Sequence, residues 1–332
     1  MINAQPAATS APVHVVANNG HDVKPEKPRH GLKVLSIGEL LSLELPPREY
    51  LLSPLIPMRG LAMLYAPRGI GKTYLALSIS YAIAAGDKAL RWQAPASRRV
   101  LYVDGEMPLE SLQQRLAAVV GSAEKQADPE NFKLLAADHQ DFGLPDLATI
   151  DGQAKMEPYL DGIQLLVLDN LSTLVRSGKE NEAECWTLIQ EWLLDLRRRG
   201  IAVLFVHHAG KDGNQRGTSK KEDVLDTVIC LRRPANYEPK QGARFEIHLE
   251  KARGVFGEAA DPFEASLTIE DTPDLKRATW ACKDLEDVKM IQVVDLLREG
   301  LSLRDVAAET GIPKSTVKRM KDRAAAEGLI DA

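Results

Sequence analysis

The residues best suited to chemistry are Ala66-Pro67-Arg68-Gly69-Ile70-Gly71-Lys72-Thr73. A short apolar run at 61–65 precedes them, and 74–85 follows with helical spacing until Gly86 closes it. A glycine-containing loop that leaves a strand and opens a helix turns free backbone N–H groups toward an anion. Lys72 adds positive charge for the outer phosphates, and Thr73 offers a hydroxyl to Mg²⁺. Residues 66–73 are therefore expected to hold the phosphates of ATP, with Mg²⁺ as the accompanying ion. Ala66 stands where the motif has its first glycine, a departure of one methyl group.

Such a loop needs a carboxylate near the metal. Asp169 ends the apolar run 165–168, and a buried strand there would deliver it to the carboxyl edge of a sheet. Thr73 and Asp169 are the expected metal residues, although a strand-end aspartate can also be a plain helix cap. Hydrolysis further requires a group that positions and polarises water. Asp104 and Glu106 follow the run 100–103 on the same expected edge, where they are either that group or ordinary solvated carboxylates. His207 and His208 end the run 201–206. They read as a hydrogen-bonded strand-end pair, and metal ligation is disfavoured because no carboxylate or cysteine stands at ligand spacing.

Several buried strands must bring these groups together. Apolar runs at 61–65, 100–103, 165–168 and 201–206 alternate with amphipathic stretches at 109–120 and 183–199. That alternation predicts an α/β fold with a mostly parallel central sheet covered on both faces. After the run 227–231 the pattern becomes strict alternation in Phe245-Glu246-Ile247-His248-Leu249, which predicts antiparallel strands at one edge. Residues 1–34, rich in Ala, Pro, Asn and His, read as a mobile arm; Pro46, Pro47, Pro54 and Pro57 break any long helix after it. The expected domains are the arm at 1–34, the nucleotide-binding core at 35–282 and a small all-α module at 283–332.

In that module, a helix from about Val288 ends near Gly300. Ser302 can cap a helix over 303–310, Gly311 makes a turn, and Ser315 can cap a third helix running to Gly328. This is helix-turn-helix spacing, with the small Ala307 where helices approach and Ile312 and Val317 facing inward. Within 314–323, Lys314, Lys318, Arg319, Lys321 and Arg323 oppose only Asp322. Lys314, Ser315, Thr316, Lys318 and Arg319 are the candidate DNA contacts, with protein contacts as the alternative use of the module.

Composition bounds the rest. An apolar fraction of 44% suffices for a large core, and no apolar run reaches the roughly 18 residues of a membrane span. The net charge of −5 means that any nucleic-acid contact must be local. Cys185, Cys230 and Cys282 are widely spaced, which fits a reducing cytoplasm rather than a disulfide framework. No internal repeat is present.

Five motifs in order give a more specific resemblance over roughly residues 45–282. The phosphate loop is followed by Val103-Asp104-Gly105-Glu106-Met107-Pro108, which is similar to the strand–Glu–Met element of RecA-like hexameric helicases of the DnaB and plasmid RepA type. The resemblance implies that Glu106 is the catalytic base. Val206-His207-His208-Ala209-Gly210-Lys211 resembles the element carrying the γ-phosphate sensor, with His208 the first choice and His207 the second. Arg216-Gly217-Thr218-Ser219 and the following strand resemble the segment beside the central channel. Lys251-Ala252-Arg253-Gly254 looks like the Lys-x-Arg pair on an edge hairpin that reaches a neighbouring subunit as an arginine finger; an exposed basic turn is the plain alternative. The C-terminal segment resembles the helix-turn-helix of bacterial regulators.

The resemblance implies a homo-oligomeric ATPase, hexameric as in the family it resembles, in which Lys72, Glu106, His208, Lys251 and Arg253 are catalytic. It would translocate on single-stranded DNA through basic loops such as 211–221, and could bind duplex through the helix-turn-helix. An ATP-switched DNA-binding regulator or helicase loader is the alternative. A small-molecule kinase is weaker, because no acceptor pocket or lid signature is found.

Overall fold

The computed structural model describes residues 32–176, 183–210, 223–272, 275–326 and 328–330. The expected arm therefore lies outside the described residues except at its end, as do the channel-loop motif Arg216–Ser219 and the basic loop 211–221. The chain divides into two units, residues 1–47 and 48–332. In the first unit, α1 (Ile37–Ser42) starts at a capping box: Ser36 accepts from the Glu39 amide and Glu39 accepts from the Ser36 amide.

The second unit begins with the hairpin β1 (Tyr50–Leu52) and β2 (Ile56–Pro57), then β3 (Leu61–Ala66), α2 (Lys72–Ala85), the small hairpin β4 (Lys88–Ala89) and β5 (Trp92–Gln93), β6 (Val100–Asp104) and α3 (Leu109–Ser122). It continues with β7 (Phe132–Ala136), α4 (Ile150–Met156), β8 (Leu165–Asp169), α5 (Leu171–Leu174), α6 (Ala183–Arg198) and β9 (Ala202–His208). Next come β10 (Thr227–Arg232), β11 (Arg244–Ala252), β12 (Phe263–Thr272) and β13 (Leu275–Asp284). The helices α7 (Leu285–Arg298), α8 (Leu303–Thr310) and α9 (Lys314–Ala326) close the chain.

Nine strands form one sheet in the order β13-β12-β11-β10-β3-β9-β8-β6-β7. From β10 to β7 the strands are parallel; β11, β12 and β13 are antiparallel additions, as the alternation at 245–249 predicts. All residues of β3, β6 and β8 are buried, which is why these strands read as unbroken apolar runs. Alternate side chains supply two cores. Ala62, Leu64 and Ala66 pack toward α2 and α3, whereas Leu61, Met63 and Tyr65 pack toward α4, α5 and α6.

The sequence pattern does not reveal that β13 returns over α3. The Ala278 amide donates to Ser122 Oγ at 2.7 Å, and Trp280 Nε1 donates to Ser78 Oγ at 2.9 Å. This covers the outer face of α2 and explains why that helix is apolar almost all round, with Gly86 at φ 68° ending it.

The three C-terminal helices share a small core of Val293, Val306, Ile312 and Val317. Ser302 caps α8 by accepting from the Asp305 amide at 3.3 Å, and Gly311 turns at φ 67°, as expected. Two expectations are corrected. The first helix of the module starts at Leu285, directly from β13, rather than near Val288. Ser315 is not a cap, because α9 starts at Lys314 and the Val317 amide already bonds Pro313 O at 3.0 Å. Pro313 pre-sets the backbone ahead of the first turn, and the helix starts two residues earlier than a cap at Ser315 would place it.

Candidate functional site: a phosphate cleft at the carboxyl edge of the sheet

The parallel strands β3, β6, β8 and β9 end side by side, so whatever follows each one shares an edge. There a cleft of about 590 Å³ is lined by Gly69, Gly71, Lys72, Thr73, Asp104, Glu106, Asp169, Asn170 and His208, among others. Its volume lies within the usual range for small-molecule sites. Sequence reading anticipated most of these residues from four separate segments, and the fold brings them together.

The phosphate loop owes its shape to two glycines. Gly69 has φ 71° and Gly71 has φ 115°, both in the region closed to most L-residues. A Cβ on Gly71 would also stand 2.9 Å from the Ala243 methyl. Ala66, where the motif has glycine, is the last residue of β3 and fully buried, so ordinary strand geometry suffices there. Lys72 folds back across the loop, donating from Nζ to Ala66 O at 3.0 Å and to Pro67 O at 2.8 Å. Burial lowers its pKa to about 8, against the opposing pull of Asp169 and Glu106.

The acidic side is braced from behind. Tyr102, fully buried on β6, donates its hydroxyl to Asp169 Oδ2 at 2.7 Å. The Thr73 hydroxyl also bonds the Asp169 carboxylate. Burial pushes the Asp169 carboxyl up, while these two hydrogen bonds and Lys72 pull it down. Asp104 has a different task. Its Oδ1 accepts from the Glu106 amide at 3.0 Å and the Met107 amide at 2.7 Å, so it shapes the turn that presents Glu106. Burial holds the Asp104 carboxyl up at about 6.

Glu106 is the exposed carboxylate of the site. Asn170 Nδ2 donates to its Oε2, and His208 Nε2 stands 3.8 Å from the same oxygen. Strand alternation separates the histidines: His208 lines the cleft, and His207 points to the opposite face with no exposure. Among the described residues no cluster of three or more His, Cys, Asp or Glu could cage a metal. A hydroxyl and one buried carboxylate nevertheless suit a magnesium ion whose other ligands are phosphate oxygens and water.

Lys251 and Arg253 do not join this cleft. β11 runs antiparallel, so its carboxyl end lies level with the start of β3: Val228 pairs with both Lys251 and Met63, and Thr227 with both Ala252 and Ala62. Arg253 Nη2 donates to Asp223 O at 3.0 Å, and its Nη1 lies 3.9 Å from Asp226 Oδ1. The expected edge position needs refinement, because β11 is sandwiched over 244–247 and pairs with β10 alone nearer Lys251.

Sequence reading missed Tyr102, Asn170 and the segment 233–243, since nothing in their spacing marks them as neighbours of the loop. It also missed Arg115 and Tyr74, which line the cleft, the guanidinium 4.9 Å above the ring. In the C-terminal module Lys314, Ser315, Lys318 and Arg319 are exposed and Thr316 is half-buried along α9. Cys230 and Cys282 are free thiols. No described helix is long and apolar enough to cross a membrane.

A phosphate loop on a strand separated by one neighbour from the strand of its acidic partner, in a sheet with antiparallel additions, defines a P-loop ATPase with a RecA-like core. A family model described as an AAA domain matches residues 25–214, more than half of the 332 residues, and the chain belongs to that family. A second model, a homeodomain-like domain, matches residues 287–332, the helix-turn-helix module. Among solved structures, the chain is similar to a KaiC-like protein from the archaeon Pyrococcus horikoshii. Identity is 15% over 67% of this chain and 90% of that one, with a TM-score of 0.44. It is also similar to the RadB recombinase, with 18% identity over 64% of this chain and 88% of that one and a TM-score of 0.43.

Proposed function

We propose that this ATPase is an oligomeric motor of the RepA type that hydrolyses ATP while moving along single-stranded DNA. The observation that carries the reading is the split between two sheet edges: Lys72, Thr73, Glu106, Asp169 and His208 meet at one, and Arg253 stands at the other. An arginine finger so located could serve only a neighbouring copy. In this reading residues 66–73 cradle the phosphates, Lys72 neutralises the outer ones, and Thr73 and Asp169 hold Mg²⁺. The ion, when bound, would offset charge developing on the phosphoryl oxygens. Glu106 takes a proton from the attacking water, and His208 responds to the γ-phosphate. Arg253, with Lys251, completes the site in trans. Lys314, Ser315, Thr316, Lys318 and Arg319 contact duplex DNA. The domain scheme of arm, core to residue 282 and helical module from 283 accompanies this reading.

ATP turnover measured with and without single-stranded DNA, together with a strand-displacement assay, tests the motor. Stimulation and displacement are expected; absence of both removes the helicase role. The second reading, an ATP-switched DNA-binding regulator or loader, is favoured by one observation: a single loop bonds the phosphate loop and shares a crevice with the helix-turn-helix module. Slow turnover with tight, sequence-dependent duplex binding would select it.

A further inference from the structure

The segment 233–243, between β10 and β11, has no role in the chemistry above, yet it bonds the phosphate loop at one end and lines a crevice shared with the C-terminal helices at the other. At one end, Arg233 Nη2 donates to Gly69 O at 3.3 Å, inside the phosphate loop. Gly242 and Ala243 line the nucleotide cleft, and Ala243 leaves room for no side chain on Gly71. At the other end, Pro234, Ala235 and Asn236 wall a crevice of about 210 Å³ against Leu285, Val288, Lys289 and Gln292 of α7, and Thr310 and Ile312 at the helix-turn-helix turn.

Between these ends the segment is braced. The Arg233 guanidinium stacks 4.0 Å above the Tyr237 ring, and the Tyr237 hydroxyl donates to Gly242 O at 3.0 Å. Glu238 and Gln241 form a reciprocal cap across the short turn Pro239–Gln241. Arg244 donates to Gln241 Oε1 at 3.1 Å and to Glu264 Oε2 at 2.7 Å, and Glu264 is itself a wall of the crevice. A braced segment transmits displacement where a slack one absorbs it. Phosphates entering the loop must be cradled by the backbone around Gly69, whose carbonyl Arg233 already holds.

We propose that Arg233 is a positioning residue of the phosphate loop, and that the 233–243 segment couples nucleotide occupancy to the packing of α7 and α8 against the core. This rests on the cleft binding ATP, but not on the motor reading. Nucleotide thereby changes how firmly the helix-turn-helix is held, with no contact between nucleotide and module.

Hydrogen exchange of the full chain, with and without a saturating non-hydrolysable ATP analogue and Mg²⁺, tests it, with analogue affinity measured in parallel. The expected result is a change in exchange of α7 and α8 on the order of fivefold or more, the lower bound of ordinary coupling. At saturating analogue the change should largely vanish in both Arg233→Ala and Tyr237→Ala, with analogue affinity weakened in Arg233→Ala, which loses the bond to the phosphate loop, and retained in Tyr237→Ala. Analogue binding without any change in α7 or α8 overturns the proposal. An undiminished change in both variants overturns the role of the segment. Failure of the wild type to bind the analogue would instead sink the ATP reading itself.

Discussion

His208 Nε2 stands 3.8 Å from Glu106 Oε2, linking the ends of two strands that are not adjacent in the sheet. Asn170, at the end of the strand between them, bonds the same oxygen. The carboxylate is thus held by groups from the ends of β8 and β9, one of which is expected to respond to the γ-phosphate. Glu106→Gln keeps the size and loses the basicity. It should bind ATP as the wild type does and turn it over about a hundredfold to ten-thousandfold more slowly, the usual scale for a general base. Turnover and analogue affinity measured side by side check this. A variant retaining a third of the wild-type rate would remove Glu106 from the chemistry.

Tyr102→Phe deletes one hydroxyl and leaves the packing in place. Asp169 then loses the hydrogen bond that aims it, and the apparent Mg²⁺ requirement of turnover should rise by about ten- to a hundredfold. A magnesium titration of the rate reads this directly. Unchanged magnesium dependence would mean that Asp169 is oriented by Thr73 alone.

Lys72 supplies a pH signature. Burial sets its pKa at about 8. A bound triphosphate favours the charged form and raises that value, so binding above pH 8 must take up a proton. Affinity for an ATP analogue should therefore be flat below about pH 8 and weaken above it, by up to tenfold per unit. Calorimetry at pH 8.5 in buffers of different ionisation enthalpy would detect the proton. Lys72→Arg should abolish the uptake, and a wild type without uptake would contradict the assignment.

Arg253→Ala and Lys72→Ala should each be inactive, for different reasons. Mixed in equal amounts and allowed to reassemble, they should recover turnover at about a quarter of their interfaces, where an intact cleft meets an intact Arg253. No recovery, with exchange of subunits demonstrated, would exclude the trans arrangement.

On α9, Lys318→Ala or Arg319→Ala should weaken duplex binding and lower the slope of log affinity against log salt by about one for each phosphate no longer neutralised. Fluorescence anisotropy over a salt series measures both. An unchanged slope would assign α9 to protein contacts.

Much of this site was legible because buried parallel strands have an unmistakable pattern and end at a common edge. Three of the four apolar runs end at a polar residue, Asp104, Asp169 or His207, and the fourth leads into the loop of Lys72. The runs thus bring these segments to one edge, while the choice of Glu106 and His208 within them rests on the family resemblance. Tyr102 was hidden because it sits inside such a run, and its neighbour across the sheet depends on strand order, which periodicity does not encode. The return of β13 over α3 was illegible for the same reason, since Trp280 meets Ser78 only through topology. The segment 233–243 has the composition of an ordinary loop, and its importance lies entirely in what stands at its two ends.

The antiparallel course of β11 has a consequence for any assembly in which Arg253 serves a neighbour. Each copy then carries a socket on one side and its plug on the other, so two copies related by a twofold axis could not fill both sockets at once. Growth would be head-to-tail and would have a direction. An open row would always end in one idle cleft, and only closure into a ring would make every copy productive.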